Sequence, residues 1–142
     1  MPLSSAEGRL RLDHPRVLLA DDHSLVLERV LSLLKPNFQV VGTATNGRDL
    51  VTEALRLRPD VIVLDVSMPI LTGIEAAHEL REAGSEAKLV FLTVHDERDI
   101  AEACFAEGAL GYVTKSRLRR DLIPAITEAL SDRCFISPSI SE

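Results

Sequence analysis

The sequence predicts a single α/β domain, a parallel five-stranded sheet wound on both faces by helices. Three observations carry that expectation. Five short apolar runs recur along the chain, mostly β-branched or aliphatic and bounded by polar residues, as suits strands buried on both faces. Amphipathic stretches with helix-start signals fill the gaps between them, and strictly alternating strands and helices favour parallel pairing with right-handed crossovers. A length of 142 residues, 46% hydrophobic and 27% charged, is that of one ordinary globular core.

Residues 1–14 hold Pro2, Ser4, Ser5, Gly8 and scattered charges without a period, and are expected to be a flexible leader. The first strand, Val17–Ala20, runs into Asp21-Asp22. Leu27, Val30, Leu31 and Leu34 then repeat at helical spacing until Pro36 stops them. Phe38–Ala44 is the second strand, and Asn46, ahead of Gly47 and Asp49, is an N-cap with an acidic first turn. Val61–Leu64 runs into Asp65, and Thr72 with Glu75 forms a capping box. Leu89–Thr93 is the fourth strand, with Asp96 as the next N-cap ahead of Asp99. Leu110–Val113 is the fifth, and Lys115 follows it. Pro124 predicts either a last helix that begins late, with the proline in its first turn, or one that kinks there. The main domain is expected over 15–133, with 134–142 as a linker or tail.

Composition narrows the function. A formal charge of −6 disfavours a non-specific nucleic-acid binder. The late bases Lys115, Arg117, Arg119, Arg120 and Arg133 interleave with Asp121, Glu128 and Asp132, as on a solvated helix face. Cys104 and Cys134 show neither metal-ligand nor redox spacing. No apolar run has membrane length and the N-terminus lacks signal-peptide order, so a soluble, cytoplasmic protein without membrane contact is expected.

In open α/β sheets, ligands bind at the carboxyl ends of the strands. The residues ending these strands are Asp21, Asp22 and Asp65, then Thr93, with Lys115 just beyond the fifth. Two like charges 4 Å apart repel by about 1 kcal/mol in water and about 4 kcal/mol at an effective dielectric of 20. A divalent cation removes that repulsion. Oxygen donors with open positions suit Mg²⁺, which commonly pairs one or two carboxylates with a phosphate.

The residues Asp21-Asp22, Asp65-Val66-Ser67-Met68-Pro69 with Gly73, Thr93, and Gly111-Tyr112-Val113-Thr114-Lys115 resemble the receiver-domain pattern of two-component response regulators. The resemblance covers roughly residues 16–131, at five separated sites in the same order. Asp22-His23, Thr93-Val94-His95-Asp96 and the closing Ile136-Ser137-Pro138-Ser139-Ile140-Ser141-Glu142 are similar to the subfamily whose receivers precede a LuxR-type helix-turn-helix domain. The resemblance implies a flavodoxin-like (βα)5 fold with strand order 2-1-3-4-5. Asp65 is then the phosphoacceptor, and Asp21, Asp22, Asp65 and the Ser67 backbone carbonyl are ligands of Mg²⁺. Lys115 is the cation for the phosphoryl oxygens, and Thr93 with Tyr112 is the switch pair. That strand order puts Lys115 two strands from Asp65, roughly 9–10 Å at about 4.8 Å per strand, a gap for a lysine stem and a phosphoryl group to bridge together. Ser67 and His95 stand where the family tunes loss of the phosphoryl group. The implied partners are a sensor histidine kinase and, by analogy, a second copy in a homodimer. DNA enters only through a C-terminal domain absent from this chain.

Three positions depart from the pattern. Ser116 stands where many members carry proline after the lysine, Val94 where a small residue is common, and Pro124 inside the last helix. Rival functions fit less well. A haloacid-dehalogenase-type phosphatase wants a carboxylate where Ser67 stands, a cobalamin-binding domain a glycine where Val26 stands, and a flavodoxin a phosphate loop where Asp21-Asp22-His23-Ser24 stands. A phosphorylation-independent pseudo-receiver, acting as an interaction module, would ordinarily lack an acidic or lysine position, and none is missing. Enzymatic turnover of a separate substrate is not expected.

Overall fold

The computed structural model describes residues 14–138 and 140. All of the expected leader except His14, and Ser139, Ser141 and Glu142 of the expected tail, lie outside the described residues. The elements are β1 (Arg16–Ala20), α1 (Ser24–Leu34), β2 (Gln39–Ala44), α2 (Gly47–Leu57), β3 (Val61–Leu64), α3 (Gly73–Glu82), β4 (Lys88–Thr93), α4 (Arg98–Ala106), β5 (Gly111–Thr114), α5 (Leu118–Leu130) and β6 (Phe135–Ile136). A short 3-10 turn, Lys115–Arg117, joins β5 to α5.

All pairings are parallel and the strand order is β2-β1-β3-β4-β5-β6. The expected order is present, with one addition. β6 pairs with β5 through Gly111–Phe135 and Tyr112–Ile136, so the sheet has six strands, and it runs past the boundary expected at 133.

Alternation along the strands divides the core into two layers, because successive side chains leave a strand on opposite faces. Val17, Leu19, Val61, Val63, Val90, Leu92 and Val113 pack under α1 and α5. Leu18, Ala20, Ile62, Leu64, Phe91 and Tyr112 pack under α2, α3 and α4. With both faces covered, the central strands have no water-facing side, which is why they read as unbroken apolar runs.

Two caps form as expected. Asn46 accepts from the Asp49 N–H, and Thr72 with Glu75 makes a reciprocal capping box. Two expectations are corrected. The N-cap of α4 is Glu97, not Asp96, because Glu97 is the residue that keeps extended backbone, and it makes no side-chain cap. α5 begins at Leu118, so Pro124 lies well inside it rather than in a late first turn. Proline's missing N–H is tolerated there because Pro124 is on the solvent face.

Candidate functional site

The rim of the sheet builds the site from register. Ala20 pairs with Leu64, and the Asp65 N–H donates to the Ala20 carbonyl at 3.0 Å. Asp21 and Asp65 therefore leave adjacent strand ends side by side, 4% and 2% exposed. Asp22 is exposed and His23 opens into α1. Donor atoms of Asp21, Asp22, His23 and Asp65 all lie within 4.8 Å of one another.

Thr93 and Thr114 pair at the ends of β4 and β5, so Lys115 leaves the next position on the rim. Its ammonium spans β4 unaided, meeting Asp65 Oδ2 at 2.9 Å and Asp21 Oδ2 at 2.8 Å. The expected strand gap is thus closed by the lysine stem alone, without a phosphoryl group between. Burial works against the Lys115 charge, but the Asp21 and Asp65 carboxylates outweigh it and hold its pKa above the usual lysine value. The Lys115–Ser116 peptide is trans, as are all peptide bonds among the described residues.

Three carboxylates face one ammonium here, and Asp21 Oδ2 is buried without an aligned hydrogen bond, touching Lys115 only as an ion pair. Oxygen donors left short of positive charge in this way fit a hard divalent cation. His23 Nδ1 stands 2.9 Å from Asp21 Oδ1 and 3.3 Å from Asp22 Oδ1, so it belongs to the donor cluster although its sequence position reads as rim.

The loop after β3 is shaped around Asp65. The Ser67 N–H donates to Asp65 Oδ1 at 3.3 Å, and the Gly73 N–H to the Val66 carbonyl at 2.8 Å. A Cβ at Gly73 would lie 1.9 Å from the Asp65 carbonyl oxygen, so only glycine lets α3 start against the acceptor's backbone. Ser67 Oγ and His95 Nε2 meet at 2.9 Å.

Thr93 is fully buried, and its Oγ1 accepts the His95 N–H at 3.2 Å. Tyr112 is also fully buried and donates its hydroxyl to the His95 carbonyl at 2.9 Å, so it is not the half-exposed aromatic its position allowed. Burial, first, and the neighbouring negative groups push its phenol pKa up. His95 thereby joins Thr93, Tyr112 and Ser67, a convergence that spacing along the chain does not display. The structure brings Asp21, Asp22, Asp65, Lys115, Ser67 and Thr93 to one rim, and links Tyr112 to it from beneath.

Known proteins place this arrangement. The model of the response regulator receiver domain matches residues 17–127. The response regulator GacA of Pseudomonas aeruginosa is 35% identical over 129 residues, which is 89% of this chain and 60% of that protein. The response regulator UvrY of Escherichia coli is 33% identical, over 89% of this chain and 59% of that protein. The chain therefore spans about 60% of the length of these relatives. A crystal structure of a LuxR-family two-component response regulator from an Aurantimonas species superposes with a TM-score of 0.84 at 33% identity, covering 89% of this chain and 92% of that one. No helix among the described residues is long and apolar enough to cross a membrane. With the matched family model spanning β1 to α5 and the acidic rim in its place, the chain belongs to the receiver domains of two-component response regulators.

Proposed function

We propose that Asp65 accepts a phosphoryl group from the phosphohistidine of a sensor histidine kinase, in the cytoplasm, and that the acyl phosphate switches an output surface. The observation that carries this reading is the Asp65 carboxylate, 2% exposed, held between Asp21 and the Lys115 ammonium at 2.9 Å. Asp21, Asp22, Asp65 and the Ser67 backbone carbonyl would hold Mg²⁺, which supplies positive charge to draw carboxylate and phosphoryl group together.

This chain's own residues then have defined tasks. An Asp65 carboxylate oxygen attacks phosphorus in line, the P–N bond breaks, and its electron pair returns to the kinase imidazole. Lys115 transfers its ammonium from the carboxylate to the new phosphoryl oxygens. Thr93 turns its hydroxyl toward one of them and gives up the His95 N–H. The backbone of His95 is then free to shift, and Tyr112, anchored to its carbonyl, shifts with it. Phosphoryl charge at the rim thus reaches the face of α4, β5 and α5 through a two-state element. Residues 15–133 would form the receiver and 134–142 lead toward a LuxR-type helix-turn-helix domain, with homodimerisation and transcription regulation as the output. The only chemistry expected of the chain is its own phosphorylation and dephosphorylation. The pseudo-receiver alternative is not favoured, because every acidic and lysine position is occupied.

Intact-mass spectrometry after incubation with acetyl phosphate tests this. One added phosphoryl group is expected with Mg²⁺, none with a chelator, and none in Asp65→Asn. Equal labelling of Asp65→Asn would remove Asp65 as the acceptor.

A further inference from the structure

Beside the pocket lies a second buried polar cluster, on the far side of Lys115. Asp121 of α5 is 5% exposed and Ser137, just beyond β6, is 1% exposed. Ser137 Oγ donates to Asp121 Oδ2 at 2.7 Å, and the Thr114 N–H donates to Ser137 Oγ at 3.2 Å. Arg117 Nε donates to the same Asp121 oxygen at 2.7 Å. The Ser137 N–H continues the β6 ladder to the Tyr112 carbonyl at 2.9 Å.

We propose that Asp121 and Ser137 are positioning residues for Lys115, and that through them the β6 segment is tied to the phosphoacceptor pocket. The proposal rests on reading Lys115 as the cation for the phosphoryl group. Its geometric basis is that the turn carrying Lys115 spans only 115–117 and is fastened at both ends to one carboxylate. At the leading end, Thr114 reaches Asp121 through the Ser137 hydroxyl. At the trailing end, Arg117 reaches it directly.

Such an anchor answers a need visible in the sequence. Ser116 follows the lysine where a proline ring would hold φ near −65°. A serine leaves that backbone free to move, and a displacement of about 1 Å at a reacting group can cost roughly 100-fold in rate. Burying an acid is unfavourable unless its hydrogen bonds are made. Here they are made to the two flanks of one three-residue turn, which fixes where the lysine stem starts. The bonds work in both directions. Whatever displaces Lys115 or Tyr112 on phosphorylation pulls on Ser137, and whatever peels β6 from β5 loosens Lys115.

Two readouts on the full chain test this, with Ser137→Ala and the more conservative Asp121→Asn as variants and circular dichroism as the check on folding. The first is competitive acetylation of amines, read by peptide mass, with Lys35 and Lys88 as internal references. Lys115, paired with two carboxylates, is expected to be protected in the wild type, and roughly 3- to 10-fold more reactive in either variant once its turn is released. The second is a double-mutant cycle on the labelling rate with acetyl phosphate. Ser137→Ala is expected to slow labelling by roughly 3- to 10-fold in the wild type and to have no further effect in Lys115→Ala, because it acts through that residue. Unchanged Lys115 reactivity in both variants overturns the proposal, as does a Ser137→Ala effect that persists in full without Lys115. If Lys115→Ala labels too slowly to measure, the acetylation result decides. A wild type that takes up no phosphoryl group refutes the function proposed for the pocket, and acetylation still reports on the anchoring of the lysine.

Discussion

Gly73 supports the phosphoacceptor by having no side chain. Its neighbours leave a Cβ 1.9 Å from the Asp65 carbonyl oxygen and 3.1 Å from Val66 Cα, both parts of the backbone that cannot swing aside. The constraint is one of space rather than of a left-handed backbone, which is found instead at Gly84 and Gly108. Gly73→Ala must push the start of α3 off the β3 terminus, and the bond from the Gly73 N–H to the Val66 carbonyl stretches with it. A loss of about 1–3 kcal/mol is expected, as for overpacking elsewhere in protein interiors, together with displacement of the Asp65 carboxylate. Urea denaturation checks the first, and a matching fall in acetyl phosphate labelling the second. Wild-type stability in this variant would show that the loop yields more easily than its contacts imply. At this scale the sequence was legible wherever a residue's chemistry is rare in its setting. Acids that end apolar runs repel one another at a shared sheet edge, and packing alone gives a fold no use for three of them. His95 was not legible, because its decisive contacts use its backbone N–H and carbonyl, which every residue but proline carries.

The same distinction holds among the elements. Strands β1, β3, β4 and β5 stood out as apolar runs because both of their faces are buried. β6 did not, since two residues are too few for any period, and Ser137-Pro138 after it reads as a turn. The Asp121–Ser137 bond joins residues 16 apart across α5 and its exit, so its role depended on where the tail docks. α5 shows a case where local preference and tertiary packing conflict. Pro124 removes a helix hydrogen bond in mid-element, while Leu122, Ala125, Ile126 and Ala129 are fully buried on the opposite face and hold the helix to the sheet. Packing prevails, at a cost that substitution should recover. Pro124→Ala is expected to stabilise the domain by about 1–3 kcal/mol, since proline is about 3 kcal/mol worse than alanine inside a helix and its exposed position needs no repacking. The measurement is the urea midpoint at constant slope. A lower midpoint would mean that the ring makes contacts α5 needs.

On the scale of the whole molecule, one rim concentrates negative charge in a chain whose formal charge is already −6. Asp21 and Asp65 are almost wholly removed from water, and Lys115 is the cation set between them. Unfolding disperses these carboxylates, so a cation that needs all of them at once binds the folded chain and not the unfolded one. Mg²⁺ should therefore raise the melting temperature, by an amount that follows mass action and reaches about 2.7 kcal/mol when its concentration is 100 times the dissociation constant. The same ionic strength supplied as KCl should do much less, because screening acts weakly on buried charge. Asp22→Asn separates the contributions. Removing one negative charge relieves repulsion and should leave the metal-free domain as stable as wild type or more so, while most of the Mg²⁺-dependent rise disappears. Thermal denaturation by circular dichroism, with Mg²⁺ titrated against matched KCl, measures both. An equal rise in wild type and Asp22→Asn would show that the ion acts on the surface as a whole and not in this pocket.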